Sequence, residues 1–214
     1  AYQLTEKQPG LRVAVVDKAA GVAQHQTGNN SGVIHSGIYY TPGGSKALNC
    51  ARGYRYLLDF ARAHGIPHDV CGKVIVATRP DEVPRLEKIL KTGQANGLDG
   101  IRMISREECR EIEPHVSAIK AIWVPQSGII SYRAVAEKYM ELAQNREGEA
   151  LLGHKVLDID LRPGQGTVVT DKGDITCRLV INCAGLYSDK IAQLTMPEID
   201  LQILPFRGEY YELR

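Results

Sequence analysis

An α/β layer interrupted by an inserted α+β segment is the fold class the sequence predicts, and three observations carry it. The run Val13-Ala14-Val15-Val16 near the start and residues 179–183 near the end are short and continuously apolar, the pattern of strands covered on both faces of a parallel sheet. The acid Asp17 closes the first run, and a long stretch rich in Gly, Asn and Ser follows it. Between the two runs, helix-period and strand-period segments alternate without a regular order, so the layer is divided along the chain.

The elements follow in order. Residues 1–6 read as the tail of a helix already under way, and Pro9-Gly10 stops it before the strand at 12–17. A strand that follows a helix implies an earlier strand, so we expect the first strand of the layer upstream of Ala1. Residues 18–44 show little periodicity and form a long loop. A helix is predicted over 45–64, with Leu48, Ala51, Tyr54, Leu58 and Ala61 as its apolar stripe and Gly65 as its stop. A short strand at 73–78 precedes an amphipathic helix over 81–96, closed by Gly97. Ser105 opens a capping box with Glu108. A strand at 121–124 leads to a turn at Gly128, and Ser131 caps a further helix. Short β segments at 151–152, 155–160, 167–170 and 174–177 follow, the last three separated by turns and forming an antiparallel meander. The apolar run at 179–183 should pair with 13–16 in one parallel sheet, and a terminal strand is predicted over 205–214.

Bulk properties narrow the function. The net charge is +1 and no Lys/Arg cluster exceeds a dipeptide, which argues against a nucleic-acid footprint. No apolar run approaches the roughly 20 residues needed to span a bilayer, so no transmembrane segment is expected. The five cysteines are odd in number and form no C-x-x-C pair, favouring a reducing compartment over a disulfide framework. His64 and His68 have helical spacing, but Gly65 and Pro67 interrupt it, and no metal site is predicted.

The chemistry concentrates between His25 and Tyr40. Thr, Asn and Ser supply short hydrogen-bonding arms there, and glycines allow close backbone approach to a ligand. Interleaved Val33, Ile34 and Ile38 make this a partly buried loop facing a large heteroaromatic or phosphate-bearing ligand. Asp17, at the end of a buried strand, stands where a dinucleotide-binding fold places the acid that accepts from ribose hydroxyls.

The string HQTGNNSGVIHSGIYYTPGG resembles the signature of the L-2-hydroxyglutarate dehydrogenase/oxidase group among FAD-dependent oxidoreductases of the D-amino-acid-oxidase type. CGKVIVAT, LVINCAGLYSD and PFRGEYYEL agree with it in the same order. The resemblance implies a Rossmann-like FAD-binding layer (residues 1–70 and 148–197) lacking its first strand and glycine loop. A β-rich substrate domain (71–147 and 198–214) would be inserted in it, the whole being an internal fragment. It further implies FAD contacts from Asp17, Thr27, Asn30, Ser31, Gly32, Ala184 and Gly185, and from the backbone of Val156 beside the adenine.

Oxidising a 2-hydroxyacid needs a hydride acceptor, a base for the hydroxyl proton and donors for the carboxylates. Histidine has the most suitable ordinary pKa for the base, and His35 is the first candidate, His25 the second. Arg207 offers a bidentate carboxylate contact, and Tyr39, Tyr40 and Tyr211 are phenol donors. The expected partners are a dicarboxylate 2-hydroxyacid and an electron acceptor, oxygen or a membrane quinone. The expected location is cytoplasmic, or peripheral to the inner membrane. Two other readings stand beside this one: an amino-acid or amine oxidase of the same superfamily, and a truncated chain without catalysis of its own.

Overall fold

The computed structural model describes residues 1–209. The chain opens with helix α1 (Tyr2–Lys7), strands β1 (Ala14–Asp17) and β2 (Val33–Ile34), helix α2 (Ser45–Ala63), and strands β3 (His68–Asp69) and β4 (Lys73–Ala77). Helix α3 (Val83–Ala95), strand β5 (Arg102–Ile104), helix α4 (Arg106–Ile112), and strands β6 (Lys120–Val124) and β7 (Gly128–Ile130) come next. Helix α5 (Tyr132–Gln144), strands β8 (Glu149–Leu152), β9 (Val156–Arg162), β10 (Gln165–Thr170) and β11 (Gly173–Cys177), and helix α6 (Ser188–Gln193) complete the order.

These elements form two compact units. Ala1–Val22 joins the chain from Met140 onward, and Ala23–Tyr139 forms the other unit. The chain therefore leaves the first unit and returns to it, the interrupted topology expected of an insertion. The division falls elsewhere than the boundaries read from the sequence, because residues 23–70 group with 71–139. The reason is packing. Ile34, Leu58, Ala61, Ile66, Ile130 and Val135 form one buried cluster, which ties β2, α2, β7 and the start of α5 together.

In the unit 23–139, a three-stranded antiparallel sheet has the order β4-β6-β5. Alternation along β6 serves both faces of that sheet: Ile122 and Val124 pack with Ile38, Leu86 and Ile101, while Ala121 packs with Ile104, Cys109 and Ala118. Burying each such isoleucine stabilises by roughly 1.5–3 kcal/mol relative to exposure. Gly93 lets α3 lie close, since a Cβ there would come within 2.6 Å of Ile101 Cδ1 and 2.7 Å of Ile38 Cγ1. A second sheet, β2-β7-β3, carries Gly128 inside a strand rather than at the expected turn. A Cβ at Gly128 would run into the backbone carbonyl of Asp69, so glycine serves close strand approach here.

In the other unit, β1 and β8 pair in parallel, from Ala14 with Glu149 to Asp17 with Leu152. The meander β9-β10-β11 is antiparallel, as its turns predict. Residues 179–183 correct the sequence reading, because they form no strand. Leu179 is 75% exposed and Ile181 58% exposed. An apolar run becomes a strand only when a neighbour supplies the ladder, and none of the described residues pairs with this one. Residues 205–209 likewise form no strand, and the rest of that expected element, Tyr211 included, lies outside the described residues. After α6 the chain is tied back by Asp189, whose carboxylate accepts from the Ile203 N–H at 3.1 Å and the Lys190 N–H at 2.8 Å. These bonds, Ile203's first, hold the Asp189 carboxyl below the usual range. A depressed pKa stabilises the fold above the unfolded-state pKa, and that contribution is lost as pH falls through the folded one.

Ser131 caps α5, its Oγ accepting from the Ala134 N–H at 3.2 Å. At the other end the Gly148 N–H donates to Ala143 O at 2.9 Å, and Glu147 before it sits at φ 62°. That is the left-handed position of a helix end, which favours glycine. Replacing Glu147 by Gly should therefore stabilise the protein by about 1 kcal/mol, read as a raised urea midpoint with unchanged slope.

Candidate cofactor and substrate site

The loop after β1 is closed by its own asparagines. Asn30 Nδ2 donates to Gln26 O at 3.0 Å and Thr27 O at 2.7 Å, and its Oδ1 accepts from the Gly32 N–H at 2.7 Å. Asn29 Nδ2 donates to His25 O at 2.8 Å. These side chains are thus engaged in shaping the loop, while Thr27, Ser31 and the His25 ring remain exposed. Gly28 packs so tightly that a Cβ would overlap Ala23 O, and Gly32 takes φ 67°.

Residues 33–40 are pinned from three elements. The Tyr132 hydroxyl of α5 donates to Val33 O at 3.0 Å, and Cys50 of α2 donates through its thiol to His35 O at 3.4 Å. Asn96, just past α3, donates to Gly37 O at 3.2 Å and Tyr40 O at 2.7 Å. His35 lies between buried Ile34 and buried Ser36, yet is itself exposed. Backbone anchored on both sides of an exposed imidazole is what a positioned acid–base group requires. Beside it, Ser36 Oγ and, on the segment leading into β7, Gln126 Oε1 and Ser127 Oγ are buried without a partner among the described residues. Each such group costs about 1–3 kcal/mol unless satisfied.

Tyr39 and Tyr40 line a cleft of about 380 Å³ with Thr41, Gly44, Ser45 and Lys46. Burial pushes the Tyr39 phenol up, and the nearby Arg85 guanidinium pulls the other way. Lys73 Nζ lies 4.9 Å from the centre of the Tyr39 ring.

In the other unit, Asp17 ends the parallel strand β1 on the carboxyl side, where such sheets bind ligands. Its Oδ1 accepts from the Ala19 N–H at 2.8 Å, and Oδ2 carries no bond to a described residue. Lys18 Nζ sits 3.4 Å above the Tyr187 ring, which brings the 184–187 turn to the end of β1. Ala184 and Gly185 open that turn, Gly185 at φ 57°, with Asn182 Oδ1 accepting from the Ala184 N–H at 3.1 Å. An acid with a free oxygen beside a turn that opens on two small residues, Ala184 and Gly185, fits a ribose and pyrophosphate. Val156 begins β9, partly buried. Arg207 is exposed and belongs to no strand. The expected site residues thus divide between the units: Asp17, Val156, Ala184, Gly185 and Arg207 in one, and His25, Thr27, Asn30, Ser31, Gly32, His35, Tyr39 and Tyr40 in the other. Asn96, Tyr132, Cys50, Lys18 and Lys73 escaped the sequence reading, since each acts on a partner remote in sequence or through a contact that no periodicity encodes.

Comparison with known proteins decides the family. The FAD-dependent oxidoreductase family model matches residues 1–214. This chain belongs to that family. Family membership agrees with the observed mixture of helices and sheets, a Rossmann-like α/β class. The chain is 47% identical over 213 residues to the L-2-hydroxyglutarate dehydrogenase of Indibacter alkaliphilus, covering 99% of this chain and 53% of that protein. It is 38% identical to the mitochondrial L-2-hydroxyglutarate dehydrogenase of Homo sapiens, covering 100% of this chain and 49% of that protein. The chain therefore spans about half the length of the curated relatives it matches. Among solved structures, an FAD-bound L-alpha-glycerophosphate oxidase from Mycoplasma pneumoniae superposes with TM-score 0.83 at 28% identity, over 90% of this chain and 52% of that one. Glycine oxidase from Geobacillus kaustophilus gives 0.82 at 16% identity over 91% of this chain and 54% of that one, a likeness of fold alone. Among the described residues no helix is long and apolar enough to cross a membrane, and all five cysteines are free.

Proposed function

We propose that the full-length protein carrying this chain oxidises L-2-hydroxyglutarate to 2-oxoglutarate with bound FAD. The observation that supports this most directly is the 47% identity to an L-2-hydroxyglutarate dehydrogenase across 99% of the chain. Asp17 and the Ala184-Gly185 turn would hold the ribose and pyrophosphate, Val156 the adenine, and the loop bearing Thr27, Asn30, Ser31 and Gly32 the flavin end. A flavin, when bound, supplies the hydride acceptor.

The remaining chemistry falls to side chains. As the C2–H bond breaks, the hydroxyl proton must leave the same carbon's oxygen, and an imidazole nitrogen of His35 takes it. The backbone anchors on residues 33–40 fix the main chain that carries that ring, which narrows the positions the imidazole can take. His25, whose carbonyl is tied only within its own exposed loop, by Asn29, is the second choice. Tyr39, Tyr40 and Arg207 serve the carboxylates, and Tyr211 stays a candidate from outside the described residues. Electrons then pass to oxygen or to a membrane quinone, the latter with the protein peripheral to the inner membrane.

The test is anaerobic mixing of the full-length, FAD-loaded protein with a panel of substrates. L-2-hydroxyglutarate should bleach the flavin absorbance at least a hundredfold faster than glycine or sarcosine. Faster bleaching by either amine would replace the hydroxyacid reading with that of an amine oxidase.

A further inference from the structure

We propose that Asn96 is a positioning residue for substrate binding: from the end of α3, its amide sets how the turn at residues 37–40 presents Tyr39 and Tyr40. The role rests on the reading of those two tyrosines as donors to the substrate. The turn is closed by its own bond, the Tyr40 N–H donating to Gly37 O at 3.1 Å. One side chain grips both of its ends, Asn96 Nδ2 donating to Gly37 O at 3.2 Å and to Tyr40 O at 2.7 Å. Both bonds are partly buried. Gly37 O thus accepts twice, which occupies both lone pairs of that carbonyl. The Asn96 backbone is meanwhile engaged in ending the helix, its N–H donating to Thr92 O at 3.0 Å and Gly93 O at 3.1 Å. Only the side chain is left to reach across.

The two central residues of the turn divide packing from presentation. Ile38 is 1% exposed and lies on α3 where Gly93 leaves room, a Cβ there coming within 2.7 Å of Ile38 Cγ1. Tyr39, the next residue, is 54% exposed, and with Tyr40 it lines the 380 Å³ cleft. Burial of Ile38 keeps the turn on the core, but apolar attraction is non-directional and does not fix how the turn is rotated about that side chain. Hydrogen bonds at both ends do fix it, since they weaken steeply with misalignment. The core holds the turn and the amide aims it. His35 lies upstream, its carbonyl accepting from Cys50 while Tyr132 holds Val33 O. Losing the Asn96 amide should therefore disturb the tyrosines more than the imidazole. A phenol whose placement wanders must be ordered again when the ligand arrives, and that cost appears as weaker binding.

The experiment compares the full-length, FAD-loaded parent with Asn96→Ala, using whichever substrate of the panel reduces the parent flavin fastest. Half-saturation of flavin reduction should rise about tenfold while the limiting rate stays within about threefold. In a Tyr39→Phe/Tyr40→Phe background the same replacement should raise half-saturation less than about twofold, because the hydroxyls it aims are gone. Amide exchange read by mass spectrometry should quicken over residues 37–44 and keep its parent rate elsewhere in Ala23–Tyr139. Parent exchange over 37–44 would overturn the proposal, and so would a saturation loss equally large without the hydroxyls. A limiting rate that falls while half-saturation holds would also overturn it. A panel led by glycine or sarcosine would overturn the hydroxyacid reading and leave the Asn96 role to be decided on that amine.

Discussion

Replacing His35 by glutamine in the full-length protein should leave FAD bound and slow flavin reduction by roughly 10²–10⁴-fold, the usual worth of general acid–base assistance. The structure makes this a clean substitution. Ile34 and Ser36 on either side are buried, the His35 carbonyl accepts from the Cys50 thiol, and the imidazole points to an exposed surface. Glutamine keeps a polar side chain there and removes only the proton acceptor. Rapid mixing under nitrogen separates substrate saturation from the limiting rate, and the loss should fall on the limiting rate. A variant that reduces its flavin at the parent rate would take the base role from His35, with His25 next to be examined.

A second substitution should act on stability rather than chemistry. Gly72 takes φ 76°, and a Cβ built there would run into the indole of Trp123. Its N–H also donates to Ser127 O at 2.8 Å, so the backbone cannot shift without losing a bond. Gly72→Ala would cost about 1–2 kcal/mol for the left-handed backbone and about 1–3 kcal/mol for overpacking against the ring. Urea unfolding of the full-length protein should therefore show a loss of about 3 kcal/mol. A loss of only about 1–2 kcal/mol would mean that Trp123 swings aside and the backbone cost alone remains.

Local chemistry was legible in the sequence, and partnership was not. Ser105 and Glu108 do form a capping box, with the Glu108 N–H donating to Ser105 Oγ at 3.2 Å and Glu108 Oε2 accepting from the Ser105 N–H at 2.9 Å. The meander turns fall where Gly164 and Gly173 put them, because a positive φ is written into the residue type. Nothing in an apolar run names its neighbour. Residues 179–183 have the composition of a buried strand and pair with none of the described residues. Glu149–Leu152, less apolar, is the run that lies beside β1. The site divides the same way. The polar loop announced itself by composition, whereas the clamp of Asn96 on Gly37 and Tyr40 spans more than fifty residues and has no local signature. Lys73 reads as an ordinary strand-edge lysine until its contact with Tyr39 is seen.

The parallel pairing of Ala14 with Glu149 also sets an order of assembly. Closing so long a loop costs entropy before its few backbone bonds are gained, so that ladder is a poor place for folding to begin. The unit between Ala23 and Tyr139 carries its own sheets and buried clusters, and contacts nearer in sequence make them quicker to form. Once it is compact, the two strands are joined by a folded body instead of a wandering coil, and the remaining search is short. On a ribosome delivering the chain from its N-terminus, β1 is made well before β8, and the edge that β8 covers must wait for it to emerge. Its four residues are few enough to keep that waiting edge a small target for aggregation.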